Sequence, residues 1–238
     1  MNVVITISRQ LGSNGSYIAT EAAKLLDFRY LDREILQRAA ERAGYPDAEM
    51  VRALAEKERA PSFLDSILDS LGKMTPVPIV PSATLREGQA YSELANSMLA
   101  QQTIEEQQRE RAAENYGALV ERVISNYAES GNVVIAGRGG QVILRHRRNA
   151  LHVRVVASTE TRIRNLVARQ ELPREEAEEY IRESDRRRAR YLQRYHGVSW
   201  DDPRLYHLVI NTDKVPVPMG THIVVEAARW LDQSLAEG

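Results

Sequence analysis

The residues Gly12, Ser13, Asn14, Gly15 and Ser16 join a β-branched apolar run, "NVVITIS" (2–8), to an apolar-periodic stretch, "GSYIATEAAKLL" (15–26). Glycine and asparagine tolerate positive φ. Several backbone N–H groups of such a loop can therefore point into one concavity at the positive end of the following helix. The chemistry this offers is phosphate binding; the competing reading is a tight strand-to-helix turn. Ser16 stands where the hydroxyl of the pattern G-x-x-x-x-G-K-[ST] meets Mg²⁺. The first glycine of that pattern is Arg9 or Gln10 here, according to the alignment, and its lysine is Gly15. Lys24 lies about 12 Å further along the helix, too far to substitute. Arg9 can instead place a guanidinium beside the same phosphates, with the same charge and a different geometry.

Further arginines stand at places where chemistry is expected. Arg138 lies in "GRGG" (137–140), directly after a third apolar run. That is the carboxyl end of a strand, where open α/β sheets bind ligands. Arg182, Arg186, Arg190 and Arg194 recur every four residues, with Arg187 and Arg188 beside them. Such a stripe repels itself unless an anion or the nearby glutamates face it. Asp185 is placed three residues before Arg188 to hold that guanidinium. Arg162 and Arg164 fall early in a helix after the fourth strand. Asp32 and Arg33 end the second strand and start the next helix, where Asp32 reads as an N-cap, a ribose ligand or a ligand of metal-bound water. The five histidines show no metal-ligand spacing, and no Ser-His-Asp order or paired carboxylates stand out.

The elements that must carry these residues are legible in the patterning. Apolar runs at 2–8, 28–32, 132–137, 150–157 and 205–212 predict five strands. Helices are predicted over 15–26, 33–44, 158–170, 173–197 and 218–235. Ser158 or Thr159 caps the third of these, and Pro173 sits at the first position of the fourth, which Gly197 ends. Strands alternating with helices predict a parallel sheet flanked by helices. Residues 45–130 break the rhythm and read as a helical insertion, with a Pro-rich loop "TPVPIVPSATL" inside it. The long helix near 88–129 has surface enough for a homodimer. At 238 residues, with 43% hydrophobic and 27% charged residues and a net charge of −1, the chain can bury a core and shows no overall bias toward a polyanion. The absence of cysteine removes disulfides, thiolate catalysis and Cys-based zinc sites. No run approaches the length of a membrane span. "MNVVITIS" is too short for a secretory signal, so a cytoplasmic protein is expected. Only Tyr191 and Tyr195 interleave the arginine stripe, so nucleic acid is not the expected partner.

Taken together, "ITISRQLGSNGSYIA", "YLDREIL", "VVIAGRGG", "VASTETRI", "SDRRRARYLQRYHG" and "LYHLVINT" occur in the order seen in the cytidylate kinase-like family of P-loop nucleoside monophosphate kinases, which the chain resembles over 1–44 and 116–232. Within the insertion only "APSFLDSILDSLG" matches, and loosely. The resemblance implies a P-loop NTPase-type α/β fold, a single domain over 1–238 with a helical insertion at about 45–130 and an Arg-rich lid at about 171–200. It implies that Gly12, Ser13, Asn14, Gly15 and Ser16 cradle the ATP phosphates and that Arg162 lies near the adenine. Arg188 would contact the phosphates in transfer, and Asp185 would touch the acceptor or orient Arg188. Arg138 would hold the acceptor phosphate, with Asp32 and Arg33 bordering that site. Cytidylate kinases carry lysine at the position of Gly15 and carboxylates at those of Ala136 and Gly139. Mg²⁺ would then rest on Ser16, waters, phosphates and Asp32. The expected reaction is transfer from ATP-Mg²⁺ to a nucleoside monophosphate, CMP or dCMP foremost, with Arg9, Arg138, Arg188 and Asp185 as the catalytic group. The rivals are a non-catalytic nucleotide-binding regulator and a kinase for another small molecule.

Overall fold

The computed structural model describes residues 1–32 and 117–237. Arg33, the helix expected over 33–44 and the insertion up to 116 lie outside the described residues. The chain divides into two compact units, 1–44 with 118–238, and 45–117.

The first unit is built on five strands: β1 (Val4–Arg9), β2 (Arg29–Leu31), β3 (Val133–Ala136), β4 (Ala150–Val156) and β5 (Leu208–Asn211). All pair in parallel, in the order β2-β3-β1-β4-β5. The central strands are buried on both faces, as a sheet covered by helices requires. The described helices are α1 (Gly15–Leu26), α2 (residues 117–129), α3 (Gly140–Ile143), α4 (Thr159–Gln170), α5 (Arg174–His196) and α6 (Val217–Ala236). A 3₁₀ turn, Pro203–Leu205, precedes β5. No described helix is long and apolar enough to cross a membrane.

Strand alternation decides what meets what. Val3, just before β1, and Ile5 and Ile7 on it pack with Ile18, Ala19 and Ala22 of α1 and Val224, Val225 and Ala228 of α6. Arg9 continues this odd-numbered face and is delivered toward α1. Thr6 and Ser8 take the opposite face. Their register partners on β4, His152 and Arg154, are likewise polar and buried. The second layer holds Val142, Leu192 and Trp200 in one cluster, and Ile163, Leu166, Ala177 and Ile181 of α4 and α5 in another.

Several boundaries differ from the patterning by a residue or more, and one open alternative is resolved. Pro173 is the N-cap of α5, not its first helical residue, because its extended ψ of 149° precedes the helix. Ser158, not Thr159, caps α4 and accepts from the Thr161 N–H at 3.3 Å. Residues 205–207 are not strand, because Asp202 caps the 3₁₀ turn and holds Arg204.

Candidate phosphate and nucleotide site

β1 is the central strand, with β3 on one side and β4 on the other. The chain leaves β1 for β2 in one direction, then crosses to β4 in the other. The carboxyl end of β1 is thus the switch point where open α/β sheets take ligands. The loops Gln10–Asn14 and Gly137–Gly139 lie side by side there.

The first loop is held through its carbonyls, one from within the loop and three from outside. Those of Gln10 and Leu11 accept from Ser13 Oγ (2.8 Å) and Arg162 Nε (2.6 Å). Those of Gly12 and Ser13 accept from Asn165 Nδ2 (2.8 Å) and Thr212 Oγ1 (3.0 Å). In a planar trans peptide the following N–H points the opposite way. The clamped carbonyls of Leu11, Gly12 and Ser13 therefore turn the amides of the next residues away from α4 and β5. The Ser13 N–H is used within the loop, on the Gln10 carbonyl. The N–H groups of Gly12 and Asn14 remain, joined by the first-turn N–H groups of α1, which no helical carbonyl satisfies. Asn14 supplies no side-chain cap, and the first turn holds no acidic residue. The result is a concave, positive, pre-formed backbone nest. Gly12 is required here twice over. Its φ is +79°, and a Cβ would lie 2.6 Å from the Arg162 carbonyl oxygen.

Gly15 is required for a different reason. Its Cβ would lie 2.5 Å from Arg9 Cβ and 3.0 Å from Val155 Cβ. The volume in which a lysine stem would start is thus occupied by the arginine that the odd face of β1 delivers. Arg9 Nε donates to Ser16 Oγ at 3.3 Å. Burial lowers the Arg9 pKa; Tyr30 and Asp32 oppose this, and Arg138 adds to it. The Arg9 guanidinium lies against Gly137, where a Cβ would fall 2.6 Å from a terminal nitrogen.

Residues 137–139 are all left-handed, with φ of +88°, +56° and +71°. For Arg138, which has a Cβ, that backbone costs about 1–2 kcal/mol. Strain of this kind gathers at binding sites. The Arg138 guanidinium stacks over Tyr191 of α5 at 5.7 Å.

α5 presents its apolar side inward through Ala177, Ile181 and Leu192, with Ser184, Asp185 and Arg188 beside them. Arg182, Arg186, Arg190 and Arg194 are on the opposite, exposed side, and Arg182 pairs with Glu179 at 2.7 Å. The structure therefore separates Arg188 from the stripe. Arg188 donates to Ser184 Oγ. Burial pushes its pKa down to about 10; Arg9 adds to this, Asp185 opposes it, and Arg162 and Arg187 add further. Arg9, Arg138, Arg162 and Arg188 thus converge in mutual repulsion, which a bound polyanion relieves.

Asp185 does not chiefly hold Arg188, which is 3.9 Å away. Both its oxygens accept from Arg162, at 2.7 and 2.8 Å. This bidentate pair is buried on the Arg162 side, where the residue is 3% exposed. Its third donor holds the loop, so Arg162 ties the lid helix α5 to the phosphate loop. Ser13 turns its hydroxyl into the protein, while Ser16 is exposed at the mouth of the nest. Arg33 lies outside the described residues. Asn165 and Thr212 were not singled out from sequence, and an isolated polar residue carries no signal of its distant partner. For Arg154, which lies against Trp200, the sequence does hold a signal, since an arginine interrupts a strand patterned for burial on both faces.

ATP fits the nest by its N–H groups, its shape and its convergent cations. For Mg²⁺, Ser16 Oγ is accessible and Asp32 lies near Arg9; no group of three acidic, histidine or cysteine ligands exists among the described residues.

Residues 4–214 match the profile of the cytidylate kinase-like family. Among curated proteins no match is found. A solved structure of an uncharacterized protein from Eubacterium ventriosum superposes with a TM-score of 0.63 at 16% identity, covering 95% of this chain and 98% of that one, which shows a shared fold. A shikimate kinase from Bacteroides thetaiotaomicron matches with a TM-score of 0.44 at 14% identity, over 96% and 99% of the two chains. TT1252 from Thermus thermophilus gives 0.43 at 17% identity, over 99% and 97%. The chain belongs to the cytidylate kinase-like family, whose membership supports ATP-dependent phosphoryl transfer without naming the acceptor.

Proposed function

We propose that this member of the cytidylate kinase-like family is a nucleoside monophosphate kinase that works without a P-loop lysine, with CMP or dCMP as the foremost acceptors. The observation that carries the proposal is the position of Arg9. Its side chain starts where a lysine at residue 15 would start, and it meets Ser16, Gly137 and the field of Arg138 and Arg188. ATP-Mg²⁺, when bound, would supply the phosphoryl group and a metal charge to offset that of the phosphates.

The residues of the chain bind, orient and neutralise. The nest of Gly12, Asn14, Gly15 and Ser16 N–H groups holds phosphate oxygens. Ser16 Oγ, with Asp32, would supply oxygen ligands for a metal. Arg9 lies along the nest as a fixed cation. Arg138, in its strained turn, holds the acceptor phosphate. Arg188 approaches from α5 and neutralises charge on the transferring group. Arg162, held by Asp185 and the Leu11 carbonyl, fixes the loop from behind. No general base is required, because an acceptor phosphate is already an oxyanion. Positioning and electrostatics then supply the rate.

A second reading, a nucleotide-binding regulator, is favoured by one observation: Ala136 ends β3 where a carboxylate would assist the metal. A coupled ADP-release assay with ATP-Mg²⁺ against CMP, dCMP, UMP, AMP and GMP separates the two. ADP release that depends on a cytidine monophosphate is the expected result. ATP binding with no release for any acceptor supports the regulator instead.

A further inference from the structure

We infer that Trp200 is the positioning residue for Arg188 and that its indole senses the anion Arg188 meets. This rests on the reading of the site as a phosphate site and deepens it.

Arg188 faces a problem of charge. It is partly buried among other arginines, and a carboxylate bound tightly to it would cancel the charge it must offer. Asp185, the nearest acid, is engaged by Arg162 through both oxygens. The Arg188 guanidinium instead lies 5.9 Å from the centre of the Trp200 ring. An aromatic face attracts a cation through its quadrupole without neutralising it, so the charge stays available to a ligand.

Trp200 is itself fixed. It is 5% exposed. Its Nε1–H donates to Ser8 Oγ at 2.8 Å, and Ser8 directly precedes Arg9. Its carbonyl accepts from Tyr206 Oη at 3.0 Å and from Arg154. The Arg154 guanidinium lies 4.6 Å from the same ring and pairs with Asp201. The indole therefore couples the end of β1, the middle of β4 and the lid helix. Rotation or withdrawal of the Arg188 guanidinium changes the charge over a buried fluorophore.

Two arms test this. The chain has two tryptophans, and Trp230 is 71% exposed. In a Trp230→Phe background the emission is that of Trp200 alone. Titration with ATP-Mg²⁺, and separately with inorganic tripolyphosphate, is expected to give a saturable change that is lost in Arg188→Met and kept in Arg186→Ala. A silent Trp200, or a change that survives Arg188→Met, overturns the inference. In the second arm, Trp200→Leu is expected to lower kcat about 10-fold with KM for the acceptor within about 2-fold. Trp200→Phe, which keeps an aromatic face, should regain kcat to within about 3-fold of wild type. Equal turnover in the two variants overturns it. If Trp200→Leu does not fold, the emission arm decides, since it keeps the native residue. An Arg188-dependent signal without phosphoryl transfer leaves the inference standing and removes the kinase reading. Transfer with a silent Trp200 does the reverse.

Discussion

Restoring the lysine of the phosphate-loop pattern should damage this protein. Gly15 occupies the first position of α1, and its φ is not positive. By backbone propensity alone, any side chain there would stabilise by about 0.4–1 kcal/mol. The structure reverses that sign. A Cβ at residue 15 falls 2.5 Å from Arg9 Cβ and 3.0 Å from Val155 Cβ. Both atoms are the roots of side chains on central paired strands, so neither can swing aside. Overpacking of this kind costs about 1–3 kcal/mol, and here the upper half applies because two rigid atoms are met at once. The net expectation for Gly15→Ala is about 1–2 kcal/mol of destabilisation. In a chain of this size that lowers Tm by roughly 2–8 °C. Gly15→Lys adds a second cation beside Arg9 and should also reduce turnover by about 10-fold or more. Arg9→Gly/Gly15→Lys removes the closer of the two clashes and moves the cation back to the helix. It should be more stable and more active than Gly15→Lys alone, with a coupling of at least about 1 kcal/mol. Thermal unfolding and the ADP-release assay on the three variants measure this. A Gly15→Lys protein as stable and active as wild type would refute the reasoning.

Four other outcomes are expected. Arg188→Ala should lower turnover by about 10²-fold, the scale of one preorganised charge contact, with an unchanged rate removing it from the site. Arg162→Met strands Asp185 and frees the Leu11 carbonyl, and should destabilise by about 2–3 kcal/mol in a denaturant titration. Thr212→Val and Asn165→Ala each release one loop carbonyl; KM for ATP should rise about 3–10-fold, since a typical hydrogen bond contributes about 1 kcal/mol, with kcat changed less. His152, hydrogen-bonded to Thr6 at 2.8 Å, has its pKa lowered to about 4 by burial, with His207 adding and the Leu144 carbonyl opposing. Its unfolded value is about 6.5, so the unfolded chain takes the proton first. The stabilisation is present above pH ~6.5 and is lost as pH falls toward 4, by up to roughly 3 kcal/mol. Tm measured from pH 7.5 to 4.5 should drop less in His152→Gln.

The sheet was legible because its signals are local. β-branched runs such as "NVVITIS" and "NVVIAG" have only one way to bury both faces. The glycines and Asn14 declared a loop between strand and helix. Arg9, Arg138 and Arg188 were legible as candidates because each stands at a strand end or on a helix that the topology returns to that edge. What escaped was the long-range pairing. Asp185 looked like a partner for Arg188 at helical spacing, yet Arg162, 23 residues away in sequence, takes both its oxygens. The clamps from Asn165 and Thr212 cross 153 and 199 residues, and no periodicity announces them. The direction of the arginine stripe at 182–194 was not legible, because four-residue spacing marks a shared face without saying which way it points. Ala177, Ile181 and Leu192 settle that by burying the other side.

On the function proposed above, the lysine-free loop is a working phosphate site in which Arg9 supplies the missing charge. Calorimetric titration of ATP-Mg²⁺ into wild type, Arg9→Met and Ser16→Ala tests it most directly. The account predicts saturable binding to wild type and a loss of at least about 10-fold in Arg9→Met, the cost of one charge-assisted contact of about 1.5–3 kcal/mol. It predicts a smaller loss in Ser16→Ala. Equal affinity in wild type and Arg9→Met, or no binding to folded wild type, would contradict it.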